Sequence, residues 1–237
     1  MLMSAGFDRV FEIGAIFRAE EHNTVRHLNE ATSIDIEMSF ADQEDAMSVL
    51  ENVVAYAYQY VKDHCADALA TLGIEDFQVP AVPFPRITYE EAIAISTEGG
   101  EPLVFGDDLS SAAERIIGEK MGTMYFITEW PSSTRPFYTM PFLDRPEVCR
   151  AFDMMHPRME LSSGAQRCHI YDLLVQQIKE KGLNVDVFDF YLNPFKYGMP
   201  PHAGWGLGTE RLIMTMLGLQ NIREGVLFPR DRHRVSP

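Results

Sequence analysis

The sequence predicts an α+β protein in which helices flank a mainly antiparallel sheet. Strand-like segments cluster along the chain without the regular alternation of strand and helix that parallel α/β folds show. Residues 34–40 give the clearest strand, because apolar side chains at every second position alternate with polar ones. With 237 residues and 46% hydrophobic content, the chain can bury one sizeable core, or at most two small ones.

Composition narrows the class of protein. The formal charge of −15 argues against a protein whose main role is to coat nucleic acid, although a local basic patch or a further domain could still hold one. No apolar run approaches the roughly 18 residues that a membrane span needs, and the start of the chain does not resemble a signal peptide. The three cysteines lie far apart and lack zinc-ligand spacing. We therefore expect a cytoplasmic protein with no membrane partner.

The first third of the chain predicts two strands and a long helix. Residues 10–20 are typical of a strand, and residues 34–40 form the second. The polar residues 21–33 between them predict a functional loop, since loops of this length are uncommon in compact domains. Asp42 is positioned to cap a helix whose apolar stripe continues to about residue 72, where Gly73 ends it.

Further elements follow from capping residues and periodicity. Thr88 with Glu91, and Ser111 with Glu114, match the pattern that opens a helix, and residues 80–85 are expected to be extended. The other predicted strands span residues 123–129, 136–140, 148–153 and 159–163. The other predicted helices span residues 172–181, 185–197 and 209–217, ended by Gly182, Gly198 and Gly218, with Pro194 disturbing the second.

Four segments carry residues suited to chemistry, and the first two lie around the predicted loop. On a strand, Arg18 and Glu20 would project from one face. They would form a structural ion pair there, or Arg18 would bind an anionic oxygen. Arg26 and His27 could clamp phosphates, or they could be solvated loop residues.

The third segment is the glycine-rich stretch 204–211, which runs into a predicted helix. Glycines here would let the backbone approach a ligand or another element closely. Arg211 falls in the first helical turn, where its charge opposes the helix dipole, so we expect another partner for it. The stretch lacks the Gly-Lys-Ser/Thr end of a Walker loop, and no strand–helix–strand unit follows as a dinucleotide site requires.

The fourth segment spans residues 160–169. Glu160 and Ser163 offer hard oxygen ligands suited to magnesium, and Arg167 is a candidate carboxylate clamp. The alternative is a strand that ends in a Ser-Gly turn.

In this order, the four segments resemble the class II aminoacyl-tRNA synthetases. Residues 17–30 are similar to the second signature motif of the family and residues 204–211 to the third. Residues 160–169 are similar to the aspartate-binding strand of one subgroup. The end of the chain, 228–237, resembles the tail of aspartyl enzymes of the archaeal and eukaryotic-like type. The resemblance covers essentially all 237 residues.

The resemblance implies a reaction, its substrates and its partners. The carboxylate of L-aspartate would attack the α-phosphorus of ATP, releasing pyrophosphate and forming aspartyl-adenylate. The aspartyl group would then pass to the terminal ribose of tRNA(Asp), with tRNA(Asn) open as a second acceptor. Mg²⁺ is the implied cofactor, and a homodimer is expected for the full-length family.

The resemblance also implies roles for single residues. Arg18 and Arg211 would be the catalytic arginines. The implied ATP-binding set is Arg18, Ala19, Glu20, Arg26, His27, Leu28, Glu160, Gly208, Thr209, Glu210 and Arg211. The implied aspartate-binding set is Arg18, Ser163 and Arg167, and the implied magnesium ligands are Glu160 and Ser163.

Some departures from the family and two other readings stay open. Ala31 stands where many relatives place an aromatic residue that stacks on adenine. Residues 1–237 are interpreted as one catalytic domain, incomplete at its N-terminus and without the anticodon-binding domain. We therefore expect a poor tRNA charger and a weak dimer from this chain alone. The other readings are an asparaginyl or amidating relative and a non-catalytic nucleotide-binding paralogue. Gln166-Arg167 and the tail residues 229–231 favour the aspartyl reading.

Overall fold

One seven-stranded sheet organises the chain in the computed structural model, which describes residues 1–19 and 23–236. The strands are β1 Arg9–Phe17, β2 Glu30–Ser39, β3 Arg86–Thr88, β4 Tyr125–Pro131, β5 Val148–His156, β6 Met159–Arg167 and β7 His202–Gly208. Their order across the sheet is β1-β2-β7-β6-β5-β4-β3. Every neighbouring pair is antiparallel except β3 and β4. The predicted fold class is confirmed.

Helices cover both faces of the sheet. The α-helices are α1 Gln43–His64, α2 Ala66–Thr71, α3 Tyr89–Glu98, α4 Ser111–Met121, α5 Tyr171–Glu180, α6 Asp189–Leu192 and α7 Thr209–Met216. Short 3₁₀ helices span Leu2–Ala5, Ser132–Thr134, Val185–Phe188, Asn193–Tyr197 and Ile222–Gly225. Within the described ranges, no helix is long and apolar enough to cross a membrane.

Side-chain caps begin three of the described α-helices, α1, α3 and α4. Asp42 accepts hydrogen bonds from the backbone N–H groups of Glu44 and Asp45, as predicted for α1. Thr88 and Glu91 form the predicted capping box of α3. The cap of α4 is Ser110 and not the predicted Ser111, one position later. The structural cause is that the Ser110 hydroxyl accepts from the backbone N–H of Ala113.

The core lies in layers on the two sheet faces. The indole Nε1 of Trp205 donates to the Ala46 carbonyl oxygen at 3.0 Å, which fixes α1 against the centre of one face. On the opposite face, one apolar cluster lies under α3 and α4. Another lies under α5 and the helical turns of residues 185–197. The central strands are left open between these two clusters, and a cavity lies there.

The structure corrects several predicted boundaries. The predicted strand 10–20 ends at Phe17, so Arg18 follows the strand instead of sharing a face with Glu20, which lies outside the described residues. Strand β2 begins at Glu30 and shortens the predicted loop. Residues 136–140 contain only an isolated bridge between Thr139 and Arg167 in place of the predicted strand.

Two further differences have clear physical causes. The predicted helix 185–197 is three short helical turns, because Pro194 cannot continue an α-helix. Residues 202–208 form strand β7, which was not predicted because glycine at alternate positions conceals the strand pattern.

Candidate active site

An open cavity of about 410 Å³ lies on the sheet face that α3, α4 and α5 leave uncovered. Strands β2, β6 and β7 form its floor, and the segment after β1 and the start of α7 form part of its wall. Most of the predicted site residues line it: Arg18, Arg26, His27, Leu28, Glu160, Ser163, Arg167, Gly208, Glu210 and Arg211. Ala19 and Thr209 do not line it, and Glu20 lies outside the described residues.

Glycines of β7 make the cavity floor. A Cβ atom at Gly206 would lie 2.7 Å from the Asp35 carboxylate, and one at Gly204 would lie 2.5 Å from the Glu37 carboxylate and 2.1 Å from the Ile36 carbonyl oxygen. At Gly204 the backbone oxygen leaves no room for a side chain, whereas at Gly206 the exposed Asp35 side chain would have to shift. The glycines therefore let the acidic side chains of β2 lie across β7, as the predicted close approach requires.

A bulge in β6 brings the two predicted metal ligands to one face. Residues three apart on a regular strand point to opposite faces. Ser162 pairs with Met154 and Glu160 with Met155, so Leu161 is an extra residue on its strand. Leu161 is buried in the core on the α1 side. This shift restores Glu160 to the cavity face that Ser163 occupies.

Burial and neighbouring charges set the pKa of Glu160. Burial raises the pKa of Glu160 to about 7, and the Asp153 carboxylate adds to the rise, while Arg211 and Arg135 oppose it. Burial also raises the pKa of Glu114, and the positive charges of Arg26 and Arg211 oppose this rise. Three carboxylates here, those of Glu160, Asp153 and Glu114, face three arginines, and burial is the largest cause of the raised pKa of Glu160 and of Glu114.

Arg135 and Asp153 are site residues that the sequence reasoning missed. Arg135 Nη2 lies 2.5 Å from Asp153 Oδ2, and its Nη1 donates to Ser163 Oγ at 3.4 Å. The guanidinium carbon lies 4.0 Å from the centre of the Trp130 ring. Asp153 is directly opposite Ser163 in the β5–β6 pair. Around Arg135 the sequence reads Ser-Ser-Thr-Arg-Pro, and no general rule associates this pattern with a functional site.

The start of α7 is tied to both β6 and β2. Arg211 Nη1 donates to the backbone carbonyl oxygen of Glu160 at 3.0 Å, which supplies the partner expected for this arginine. Both carboxylate oxygens of the buried Glu210 accept from the Thr32 backbone N–H, at 2.8 and 3.0 Å. Glu210 thus holds α7 to β2 at the cavity edge. The hydroxyl of Thr209 is buried and has no hydrogen-bond partner among the described residues.

The segment after β1 presents one unengaged arginine and one engaged arginine. The backbone N–H of Arg18 donates to Asn29 O at 2.9 Å, while its exposed guanidinium bonds to none of the described residues. Arg26 Nη1 instead donates to Glu114 Oε2 of α4 at 3.1 Å. Arg18 is therefore ready to meet an anion, whereas Arg26 would have to exchange a carboxylate for one.

Arg167 is held side-on by Glu37. Its Nε and Nη2 atoms donate to the two carboxylate oxygens of Glu37 at 3.0 and 3.2 Å. The guanidinium also lies 5.6 Å from the centre of the Tyr138 ring. The acid that pairs with Arg167 is therefore Glu37 of β2. Nη1 makes no hydrogen bond to the described residues, so one edge of the guanidinium stays available.

The donor set fits a hard divalent cation in part. Among the described residues, no group of three or more His, Cys, Asp or Glu could by itself hold a metal ion. Glu160, Ser163 and Asp153 nevertheless share one face, and burial is the main cause of the raised pKa of Glu160. Mg²⁺ usually takes only one or two protein carboxylates and completes its shell with water and phosphate oxygens. These residues therefore fit magnesium held jointly with a substrate.

Comparison of this chain with known proteins identifies the family to which its sheet topology and cavity belong. The family model described as tRNA synthetases class II (D, K and N) matches residues 1–232. The chain belongs to this family, as its motifs predicted.

Named relatives narrow the comparison. The chain is 88% identical over 237 residues to an aspartate–tRNA(Asp/Asn) ligase of Methanocorpusculum labreanum, covering 100% of this chain and 55% of the relative. It is 60% identical to the protein of that name from Archaeoglobus fulgidus, with the same coverage. The chain thus spans about half the length of the curated relatives it matches.

Solved structures share the fold. The aspartyl-tRNA synthetase from Entamoeba histolytica is 35% identical with a TM-score of 0.93, covering 100% of this chain and 50% of that one. The asparaginyl-tRNA synthetase from Pyrococcus horikoshii, complexed with asparaginyl-adenylate, is 33% identical with a TM-score of 0.92, covering 100% and 56%.

Replacing Glu160 by Gln should change how stability depends on pH. A carboxyl group whose pKa is raised on folding, here to about 7, favours the folded state below its unfolded pKa of about 4.3. That contribution is lost as the pH rises through 7. The neutral Glu160→Gln variant should therefore gain about 1–2 kcal/mol over the parent between pH 5 and pH 8, after allowance for screening of a part-exposed group.

Urea unfolding without magnesium at the two pH values measures this difference. Glu119→Gln, an exposed partner of Arg115 on α4, is the control and should show no such trend. Parallel pH profiles for Glu160→Gln and the parent would contradict the raised pKa.

Proposed function

We propose that this chain carries the amino-acid activation site of an aspartate–tRNA ligase that uses L-aspartate, ATP and tRNA(Asp), with tRNA(Asn) as a further acceptor. The observation that carries the proposal is that one cavity collects Arg18 with its unengaged guanidinium, Arg167 with its guanidinium plane fixed by Glu37, and Glu160 beside Ser163. The printed name of the 88% identical relative supports the choice of aspartate and of both tRNAs.

The first step is attack of the aspartate α-carboxylate on the α-phosphorus of ATP. A P–O bond to aspartyl forms, the P–O bond to the β-phosphate breaks, and pyrophosphate leaves. In the second step a ribose hydroxyl of the tRNA attacks the aspartyl carbonyl carbon, and AMP leaves. Such reactions depend mainly on positioning and on neutralising charge.

The arginines of the cavity supply this charge. Arg18, whose guanidinium bonds to none of the described residues, suits the α-phosphate and the incoming carboxylate. Arg211 sits at the start of α7 with one donor on the Glu160 carbonyl oxygen and others free for nucleotide oxygens. Arg26 and His27 suit the terminal phosphates. The adenine contact expected of Glu20 stays a prediction.

Magnesium would be held by Glu160 and Ser163, and we add Asp153 to this set because it pairs with Ser163 across β5 and β6. When bound, the ion would neutralise phosphate charge during the transfer. Arg135 already neutralises Asp153 in this structure, so a cation can bind Asp153 only if the Arg135–Asp153 ion pair weakens.

The aspartate side chain would meet Arg167. Aspartate and asparagine have nearly the same shape, so charge must separate them. Glu37 fixes the plane of the Arg167 guanidinium and leaves Nη1 available to a carboxylate. An amide nitrogen facing that donor would leave it unsatisfied, which costs binding energy.

We further propose a homodimer, a cytoplasmic location and a single catalytic domain over residues 1–237. Edge strand β1 exposes an apolar stripe, with Phe11 77%, Ile13 61% and Phe17 75% exposed. These residues are two or four apart and thus share one face. An exposed apolar edge strand invites pairing with another chain. The unpaired state of all three cysteines suits the reducing cytoplasm.

Replacing Arg18 by Ala tests the activation chemistry. Loss of a charge-assisted contact should weaken nucleotide binding or aspartate-dependent pyrophosphate exchange by about 1.5–3 kcal/mol, roughly 10- to 150-fold. Arg115→Ala, on the exposed face of α4, should leave both unchanged. Asparagine-dependent exchange would favour an asparaginyl enzyme. Absence of exchange with either amino acid would favour a non-catalytic paralogue.

Replacing Arg167 by Leu tests the choice of amino acid. ATP binding should persist, while aspartate affinity falls by about 2 kcal/mol or more and the preference over asparagine shrinks. Equilibrium binding of both amino acids measures the change. If Arg167 only pairs with Glu37 for structural reasons, the variant will have lower thermal stability and an unchanged preference.

Replacing Phe11 by Glu tests the dimer. A charge on the exposed stripe should raise the dimer dissociation constant at least about tenfold, since unpaired charge is costly at an apolar interface. Sedimentation velocity over a concentration series gives the constant. Tyr56→Glu, on the exposed face of α1, is the control. A parent chain that stays monomeric at every concentration would reject the dimer.

A further inference from the structure

The segment near the C-terminus fastens the loop that joins β1 to β2. The backbone N–H of Ile222 donates to the Val25 carbonyl oxygen at 2.9 Å. The Asn29 N–H donates to the Arg230 carbonyl oxygen, also at 2.9 Å. Residues 221–231 therefore hold residues 23–29 from two sides, although about 200 positions separate them in the sequence.

A single side chain, Arg223, links the two segments most densely. Its Nη1 donates to the Thr24 carbonyl oxygen at 3.0 Å and its Nη2 to Asn23 Oδ1 at 2.8 Å. Its Nε donates to Asp231 Oδ2 at 2.7 Å, and its Nη1 also reaches Asn221 Oδ1 at 3.3 Å. The planar guanidinium thus donates hydrogen bonds to the loop and to the tail at the same time.

Asp231 is itself held rigidly. Its Oδ1 accepts from the backbone N–H groups of His233 and Arg234, at 2.8 and 2.9 Å. The hydrogen bond from Arg223 and these backbone bonds lower the pKa of Asp231. A charged carboxylate with a fixed orientation gives Arg223 an anchor on the tail side.

The loop residues that Arg223 holds also orient the proposed phosphate ligands. Thr24, whose carbonyl oxygen accepts from Arg223, has its hydroxyl 2.6 Å from His27 Nδ1. The same hydroxyl accepts from the Arg26 backbone N–H at 3.2 Å. The position of Thr24 therefore sets the backbone at Arg26 and the ring of His27.

From these contacts we infer that Arg223 is a positioning residue for nucleotide binding, acting through Thr24 on Arg26 and His27. The inference rests on the proposed function, because it takes the loop to be the phosphate-binding loop. Arg223 does not line the cavity and touches no reacting atom, so its effect is on the geometry of the loop.

The side-chain chemistry explains why arginine is needed. Arginine presents five donors in a rigid plane, whereas lysine offers a compact ammonium with three. Lysine could retain the Asp231 ion pair but could not also reach Thr24 and Asn23 in their separate directions. If charge alone mattered, Arg223→Lys would resemble the parent. We instead expect its loop dynamics and ATP affinity to be close to those of Arg223→Gln.

The test compares Arg223→Gln and Arg223→Lys with the parent in the full 237-residue chain. Arg234→Gln is the matched control, because Arg234 lies in the same tail and its hydrogen bonds to described residues are with Ser236 and Asp231 of that tail. We measure amide hydrogen exchange of residues 23–29, affinity for Mg²⁺–ATP, thermal stability, and pyrophosphate exchange as a function of ATP and aspartate.

The expected result is a local and selective defect. Exchange of residues 23–29 should accelerate, and the ATP affinity should fall about tenfold as charge-assisted contacts are lost. The rate at saturating ATP and the KM for aspartate should stay near the parent values. Arg223→Lys should show most of the defect, and Arg234→Gln none of it.

Two outcomes overturn the inference. The first is loop exchange that stays at the parent rate or accelerates only together with the whole chain, as in general destabilisation. The second is faster loop exchange with unchanged ATP affinity. A parent chain that fails to bind ATP would reject the proposed function instead, while the exchange rates would still show whether Arg223 fastens the loop.

Discussion

The absence of side chains along one face of β7 is the constraint on which the site depends. Gly204 and Gly206 let Asp35 and Glu37 lie across the strand toward β6. Any larger residue would collide with a carboxylate or with the backbone of β2. The cavity is therefore a property of the sheet floor itself, and the surrounding loops only shape its walls.

Charge pairing fills this cavity before any substrate arrives. In a chain with a formal charge of −15, four arginines around the cavity already have protein partners. Arg26 meets Glu114, Arg135 meets Asp153, Arg167 meets Glu37, and Arg211 meets the carbonyl oxygen of Glu160. Such pairs fix side chains in advance, which lowers the entropy that binding must overcome. They also mean that phosphate groups compete with carboxylates for some of these donors.

Local sequence patterns predicted the helices and most strands well, because caps and periodicity act over a few residues. The caps at Asp42 and Thr88 needed no knowledge of the rest of the chain, whereas the helix predicted to continue to about residue 72 is divided at Cys65 into α1 and α2. Strand β7 escaped prediction because its glycines serve distant neighbours on β2.

The same limit applies to the site. Most of the residues that the family resemblance supplied line the cavity, but the partners that orient them come from distant parts of the chain. Arg167 and Glu37 are 130 positions apart, and nothing near either residue signals the other. Arg135 and Asp153 were missed for this reason, and so was Glu37 as the partner of Arg167.

The strand order has a consequence for how the molecule is made. Among the described strands, β1 and β2 are hydrogen-bonded to the remaining sheet through β7, which lies between β2 and β6. During synthesis from the N-terminus, these first two strands must wait for residues 202–208 before the sheet can close. Contacts of such long sequence separation slow folding, and the waiting edges are open to wrong pairing. A chain that ended before β7 would therefore hold β1–β2 and β3–β6 as separate pieces of sheet without the cavity floor, a natural substrate for chaperones.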